Sequence, residues 1–322
     1  MVIPKVSILM PVYNGARFLD TTLRCLQNQT FGDFEIVVID DASTDDSYRK
    51  LQVWRDKEPR IRLFHHDSNR GVFETQAELA SLAKADLLAQ QDQDDYSAPN
   101  RLEIQVATLR DHPDAVGTVS NVWLVDENGH PIGTTRIPTT PGQLREAMKR
   151  SNVCWHSSLM MRKSAFDQAG GYDRDADHVA DYDLMLRLLE RGDLIPNSEP
   201  LATYGLSPGT VTYRDRATQE ALAQAIRHKY FDAPAPARIH FQPLDAKAAR
   251  MLYHKEVGRM CMVKGDSARA RDNYARLHEL QPTLKNRLRL LSCGVVAAIV
   301  KYGRRARGKP NDTAGYFLRG GE

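Results

Sequence analysis

The chain has only four cysteines in 322 residues, Cys25, Cys154, Cys261 and Cys293, and they are far apart. There is no CxxC pair and no zinc-ligand spacing, which excludes a disulfide scaffold or zinc module and points to a reducing compartment. No apolar run approaches the ~20 residues that cross a bilayer. Met1-Val2-Ile3-Pro4-Lys5 lacks a signal-peptide pattern and runs straight into a strand, so the expected location is cytoplasmic. Three signatures are also missing: a GxxxxGK[ST] phosphate loop, a GxGxxG after the first strand, and a GxSxG elbow. A P-loop kinase, a dinucleotide dehydrogenase and an elbow-type hydrolase therefore lack their marks.

A basic body is absent too. The net charge is +3, yet eight Lys or Arg residues and no Asp or Glu lie between Lys285 and Lys309. Without that stretch the chain carries −5, a mildly acidic body that argues against a nucleic-acid partner.

What is present is alternation. Hydrophobic residues make up 42% of the chain, enough for a substantial core. Val6 to Val12, Glu35 to Ile39, Ile61 to Phe64 and Leu87-Leu88 read as buried strands. Helices follow each of the first three: one carrying Leu19, Leu23 and Leu26, one over about Asp46 to Asp56, and one from Gly71 through Ala83. Short connections between alternating strands and helices predict an α/β fold with a doubly wound, mostly parallel sheet. Beyond Pro99 a helix with Leu102, Val106 and Leu109 precedes a strand from Ala115 to Val125, closed by the turn Glu127-Asn128-Gly129. Pro131 to Pro141 reads as a surface loop, Val153 to Met161 as a strand, and Asp181 to Arg191 as a helix.

This gives an α/β domain over 1–215. A helical region follows over 216–283, in which Gly258, Gly265, Ala270, Tyr274 and Pro282 match one tetratricopeptide-like hairpin. The remaining 284–322 form a basic amphipathic tail, whose cationic flanks suit an anionic membrane surface or whose apolar side packs on the protein.

The densest chemistry lies in Asp92-Gln93-Asp94-Asp95, directly after the Leu87-Leu88 strand. Open α/β sheets bind ligands at the carboxyl ends of their strands. Carboxylates this close repel, and they need a cation between them or raised pKa values. Hard oxygen ligands suit Mg²⁺ or Mn²⁺ bridging to phosphates. An acidic turn leading into the helix after Pro99 is the structural alternative.

Taken in order, Pro11-Val12-Tyr13-Asn14, Asp40-Asp41-Ala42-Ser43-x-Asp45, Asn69-Arg70-Gly71 and Asp92-Gln93-Asp94 resemble the family 2 glycosyltransferases over roughly the first two-thirds of the chain. The resemblance implies the nucleotide-sugar-binding GT-A fold and an inverting transfer from a nucleotide-sugar donor, most readily a UDP-sugar, to a glycan or lipid-linked acceptor. It implies that Pro11, Val12, Tyr13 and Asn14 flank the nucleobase. Asp41, with Asp40 beside it, accepts a hydrogen bond from uracil, and Asn69 and Arg70 contact the nucleotide. Asp94 and Asp92 are the metal-binding pair, Asp92 also serving the ribose or a metal-bound water. In Ala180-Asp181-Tyr182-Asp183-Leu184-Met185-Leu186-Arg187, Asp181 matches the general base. Ala180 replaces the family's Glu, which is expected to make Asp181 a weaker base because a like charge raises a carboxylate pKa. Trp155 and His156 are expected to line the acceptor pocket. Ser207 stands where many relatives have a metal-ligating His. Those two departures keep open a second class, a non-catalytic protein that binds nucleotide or glycan on a degenerate glycosyltransferase fold.

Overall fold

The computed structural model describes residues 3–173, 176, 178–208, 216–231, 245–291 and 293. The Pro-rich stretch 232–236, the apolar segment 294–300 and the basic residues after it lie outside the described residues. The described chain divides into two compact units: Met1–Val122 with Thr135–Tyr204 and Ala221–Arg238, and Trp123–Thr134 with Gly205–Glu220 and Ile239–Glu322.

The first unit alternates strand and helix: β1 (Val6–Val12), α1 (Leu19–Gln27), β2 (Phe34–Asp40), α2 (Ser47–Lys57), β3 (Ile61–His65), α3 (Val72–Leu82), β4 (Leu87–Gln90) and α4 (Arg101–Asp111). β1 runs parallel to β2, with Val6 opposite Phe34, and to β4, with Val6 opposite Leu87; β2 runs parallel to β3. Every residue of β1, β2 and β4 is buried, the polar Ser7, Glu35, Asp40 and Gln90 included, as expected where both sheet faces are covered. Side chains alternate between the faces: Leu9, Val37, Ile39 and Leu88 join one core cluster, while Ile8, Met10, Ile36, Val38 and Ala89 join the other.

The rest of the sheet changes direction. β5 (Gly117–Val125), β7 (Met160–Arg162) and β8 (Leu194–Gly205) extend it, with β7 antiparallel to both β4 and β5 and β8 alongside β5. α5 (Pro141–Met148), α6 (Lys163–Gln168) and α7 (Ala180–Arg191) complete this part of the unit. Two sequence expectations need revision. His156–Ser158 form a 3₁₀ turn and the strand begins only at Met160, because the Ser158 hydroxyl donates to the Trp155 carbonyl at 2.7 Å and draws the backbone out of extension. Pro131–Thr134 is a strand, β6, not a loop; it pairs with the end of β5 and buries Ile132.

In the second unit, helices Ala246–Lys264 and Ser267–Leu280 form a hairpin. Asp245 and Asp266 cap their starts by accepting from the N–H groups of Ala248 and Arg269. The helices approach through Gly258, where a Cβ would come within 2.7 Å of the Tyr274 ring. Alanine at 258 gains about 1 kcal/mol of helix propensity, but overpacking a buried ring costs about 1–3 kcal/mol, so the clash should win. Gly258→Ala should therefore accelerate hydrogen exchange across Ala246–Lys264, and Gly258→Ala/Tyr274→Leu should restore protection. Unchanged exchange in the single variant would show that the ring moves freely aside.

Candidate active site

Parallel pairing brings the carboxyl ends of β1, β2 and β4 to one edge, where the acids gather. After β1 the chain turns through Asn14, a non-glycine residue at φ 50°. Asn is among the few residues that tolerate this conformation, and its Oδ1 accepts from the N–H groups of Thr44 (2.8 Å) and Asp45 (3.3 Å). Its own N–H donates to the Ser43 hydroxyl at 3.0 Å. Ala42, between Asp41 and Ser43, is also left-handed, at φ 58°. The ends of β1 and β2 are thus stitched together as one rigid rim. Pro11 and Val12 are buried in its base, and the Tyr13 ring stands out at 45% exposed.

Asp40 and Asp41 close β2 and differ in their partners. Asp40 is fully buried; its Oδ2 accepts from the Ser43 N–H and lies 3.1 Å from His65 Nδ1, whereas its Oδ1 is buried without a hydrogen-bond partner. The Asp41 carboxylate is turned inward. It accepts from the N–H groups of Arg70 and Gly71, both at 2.9 Å, and faces His66 Nδ1 at 2.7 Å. Asn69 donates to the Asp41 carbonyl at 3.2 Å, and the Arg70 guanidinium pairs with Glu78 at 3.0 Å. Asp41 therefore organises the Asn69-Arg70-Gly71 loop, with three of its roughly four lone-pair sites occupied.

Gln93 joins this rim to the acidic turn. Its amide accepts from the Tyr13 N–H and donates to the Tyr13 carbonyl, each at 3.0 Å. A Cβ at Gly15 would sit 2.2 Å from Gln93 Oε1, so only glycine leaves room for this clamp. Around it the carboxylates meet different surroundings. Ser157 Oγ lies against both Asp92 (2.8 Å) and buried Asp95, bridging them. His156 stands 3.8 Å from Asp92 through Nδ1 and 2.7 Å from the Tyr172 hydroxyl through Nε2. Burial pushes the Asp92 carboxyl up, but His156 and the Ser157 hydroxyl outweigh it and bring it below the ordinary carboxylate value. Asp94 has no such relief: burial and the charge of Asp92 push it up to about 6. Beneath the turn, fully buried Arg101 donates to Gln91, Ser97 and the Gln90 carbonyl; burial lowers its pKa to about 10, which still leaves it a cation at neutral pH.

Asp181 opens α7, half-buried, with Asn152 Nδ2 donating to it at 3.3 Å. Burial raises its pKa first of all; the charge of His156 opposes this and that of Asp92 adds to it. Burial thus supplies the upward push that a glutamate at position 180 was expected to give. Asp183, two residues on, faces the interior, held by Arg187 (2.8 Å) and the Tyr230 hydroxyl (2.9 Å). Trp155 meets Tyr204 edge-on at 6.1 Å between ring centroids.

Asp92, His156 and Asp181 share one electrostatic environment, with Asp94 raised by the charge of Asp92, while Tyr13 is tied to the same turn by Gln93. Among the described residues no group of three or more His, Cys, Asp or Glu side chains forms a ready-made metal cage; Asp94 and Asp92 are the pair that could hold a cation. Gln93, Ser157, Tyr172, His66 and Arg101 are participants that sequence reasoning missed. Gln93 alone had a signal, its place inside the acidic motif.

Comparison with known proteins bears on the family and the fold. The model for glycosyl transferase family 2 matches residues 7–170. EpsE of Bacillus subtilis (strain 168), a glycosyltransferase by name, is 33% identical over 192 residues, covering 59% of this chain and 68% of that protein. Chondroitin synthase of Escherichia coli is 27% identical over 190 residues, 59% of this chain but only 27% of its own length, so the chain spans about a quarter of that relative. Among solved structures, S. aureus TarS 1-349 in complex with UDP-GlcNAc superposes with a TM-score of 0.57 at 16% identity, covering 95% of this chain and 92% of that one. The mannosyltransferase PcManGT from Pyrobaculum calidifontis, in complex with GDP-Man and Mn²⁺, gives 0.55 at 16% identity over 99% and 86%. At that identity these two establish the fold, which is GT-A. The match covers half of the sequence and takes in the acidic turn: the chain belongs to glycosyl transferase family 2.

Proposed function

We propose that the protein is an inverting enzyme that moves a sugar from a nucleotide-sugar donor, a UDP-sugar, to a hydroxyl of a glycan or lipid-linked acceptor in the synthesis of a cell-envelope or exported polysaccharide. The observation that carries this reading is one edge of the sheet holding both the acidic turn, with Asp94 raised to about 6, and a second raised carboxylate, Asp181, under the influence of Asp92 and His156. One site suits a departing diphosphate and the other an acceptor proton.

The donor side follows from the rim. Tyr13 offers a ring face to a base, and the remaining lone-pair site of Asp41 accepts its N–H. Uracil presents one N–H between two carbonyls, which suits a single fixed carboxylate. Asn69 and Arg70 border the same loop, where Arg70 adds positive charge near the phosphates. The donor set also fits a divalent cation: Asp94 is a hard oxygen ligand whose charge is opposed by burial and by Asp92, and such ions are bound by one or two carboxylates with substrate phosphates supplying the rest. Mg²⁺ or Mn²⁺, held by Asp94 and Asp92, supplies neutralisation of the diphosphate charge.

Asp181 then takes the proton of the acceptor hydroxyl. The acceptor oxygen forms a bond to the anomeric carbon from the face opposite the leaving group, and the bond to the diphosphate oxygen breaks with its electron pair. A raised pKa favours Asp181 as a base so long as it remains ionised. Asn152 and His156 orient the carboxylate and Trp155 offers a sugar-sized face. TarS was solved with UDP-GlcNAc and PcManGT with GDP-Man and Mn²⁺, which supports a nucleotide-sugar donor of this class.

Two outcomes test the reading. Asp181→Asn should lower sugar transfer on the order of 10²–10⁴-fold while nucleotide affinity by calorimetry is retained; unimpaired transfer would remove Asp181 from the chemistry. Asp94 gives a pH test in the metal-free protein. A carboxyl whose folded pKa exceeds its ordinary value of 3.8 contributes stability while protonated, a contribution present below that value and lost as pH rises through about 6. Asp94→Asn avoids the loss, so its melting temperature should gain on the wild type as pH rises from the acid side of that window to neutrality. A difference that ignores pH would contradict the environment assigned to Asp94.

A further inference from the structure

Residues 284–291 are helical and have two unlike faces. On one, Asn286 is 2% exposed and its amide donates to the Gln281 carbonyl at 3.0 Å; Cys293, also 2% exposed, continues that buried side. On the other, Leu284, Leu288 and Leu291 are 73%, 55% and 65% exposed. At 3.6 residues per turn the three leucines fall within an arc of about 60°, and Asn286 lies almost opposite. Lys285 and Arg287, both exposed, sit on the two flanks of the stripe. Every strongly exposed leucine among the described residues belongs to this stripe.

Charge decides what can cover it. Within the helix, from Lys285 to Leu291, the chain carries Lys285, Arg287 and Arg289 and no acid. A second copy docked through a two-fold interface would set the same patch against itself, bringing like charges together around the leucines. An anionic bilayer offers both things the face lacks, an apolar layer for the leucines and phosphates for the flanking cations.

We propose that the helical segment 284–291 is a docking face for anionic lipid bilayers. It lies in the plane of the interface with Leu284, Leu288 and Leu291 immersed and Lys285 and Arg287 reaching up to the headgroups. The segment is too short to cross a bilayer, and no helix of the described residues is long and apolar enough to do so. Binding is therefore peripheral, reversible and salt-sensitive. It does not depend on the sugar-transfer reading, since it uses none of the residues of that site.

The test is flotation of the full chain with vesicles of equal parts phosphatidylglycerol and phosphatidylcholine, beside vesicles of phosphatidylcholine alone. The wild type should float with the anionic vesicles, weakly or not at all with the neutral ones, and release as salt rises. Leu284→Gln/Leu288→Gln/Leu291→Gln should lose most of that binding. Lys285→Gln/Arg287→Gln should lower it about 25-fold, since each basic residue near such a surface contributes about fivefold. All five side chains are on the surface, and circular dichroism and an unchanged melting temperature would verify folding. Failure of the wild type to bind anionic vesicles, or equal binding by the triple leucine variant, overturns the proposal. So does a wild-type dimer in sedimentation that the leucine substitutions dissolve without any vesicle binding, which would make the stripe a self-association face.

Discussion

Acidic side chains crowded at the carboxyl edge of a parallel sheet are the constraint on which the rest of this site depends. A carboxylate taken out of water must be met by donors, by a cation, or by its own proton. Most of these are met. The Ser43 N–H and His65 answer Asp40 on one oxygen, backbone N–H groups and His66 answer Asp41, and Ser157 bridges Asp92 to Asp95. Arg101, buried beneath the turn, supplies positive charge toward Asp92 and Asp95. Asp94 and Asp181 keep raised pKa values despite their surroundings. Those two are the carboxylates assigned to the departing diphosphate and to the acceptor proton. Carboxylates with raised pKa values near the ends of the strands are candidates for function.

Preorganisation accompanies the charge. Asn14 and Ala42 both hold left-handed backbone at the rim, a conformation that costs of order 1–3 kcal/mol where the surrounding structure imposes it. Asn14 offsets part of that cost with its side-chain hydrogen bonds to the loop after β2; Ala42 has no side-chain group with which to do so. The strain is concentrated where a base and ribose are expected to settle, and the Gln93 clamp on Tyr13 ties it to the acidic turn. A substrate seated there meets a surface already in place, so little binding energy is spent on ordering the protein.

Much of this was legible in the residues, for reasons that differ from element to element. β1, β2 and β4 were readable because strands covered on both faces are mostly apolar, and α7 because Tyr182, Met185, Leu188 and Leu189 recur at helical spacing. The acids at the strand ends followed from the fold, since chain direction alone places them on one edge. The 3₁₀ turn at His156–Ser158 was not readable, because the Ser158 hydroxyl bonds to a carbonyl only three residues away and overrides an apolar pattern typical of a strand. The inward turn of Asp41 was hidden for a different reason: its partners lie 25 to 30 residues further on, and local sequence says nothing of where Arg70 and Gly71 will fold. Ser157 and Arg101 carried no motif at all. Their parts depend on contacts with the acidic turn that exist only in three dimensions.

The central claim is that one edge of the sheet seats a nucleoside diphosphate and a divalent cation together, base at Tyr13 and Asp41, charge at Asp94. It is tested most directly by anomalous diffraction from crystals grown with UDP and Mn²⁺. The account predicts a manganese peak at the Asp94 carboxylate, in contact with the diphosphate, with the uracil ring against Tyr13 and its N–H directed to Asp41. Nucleotide bound at another face, or manganese ordered away from Asp94, would contradict it.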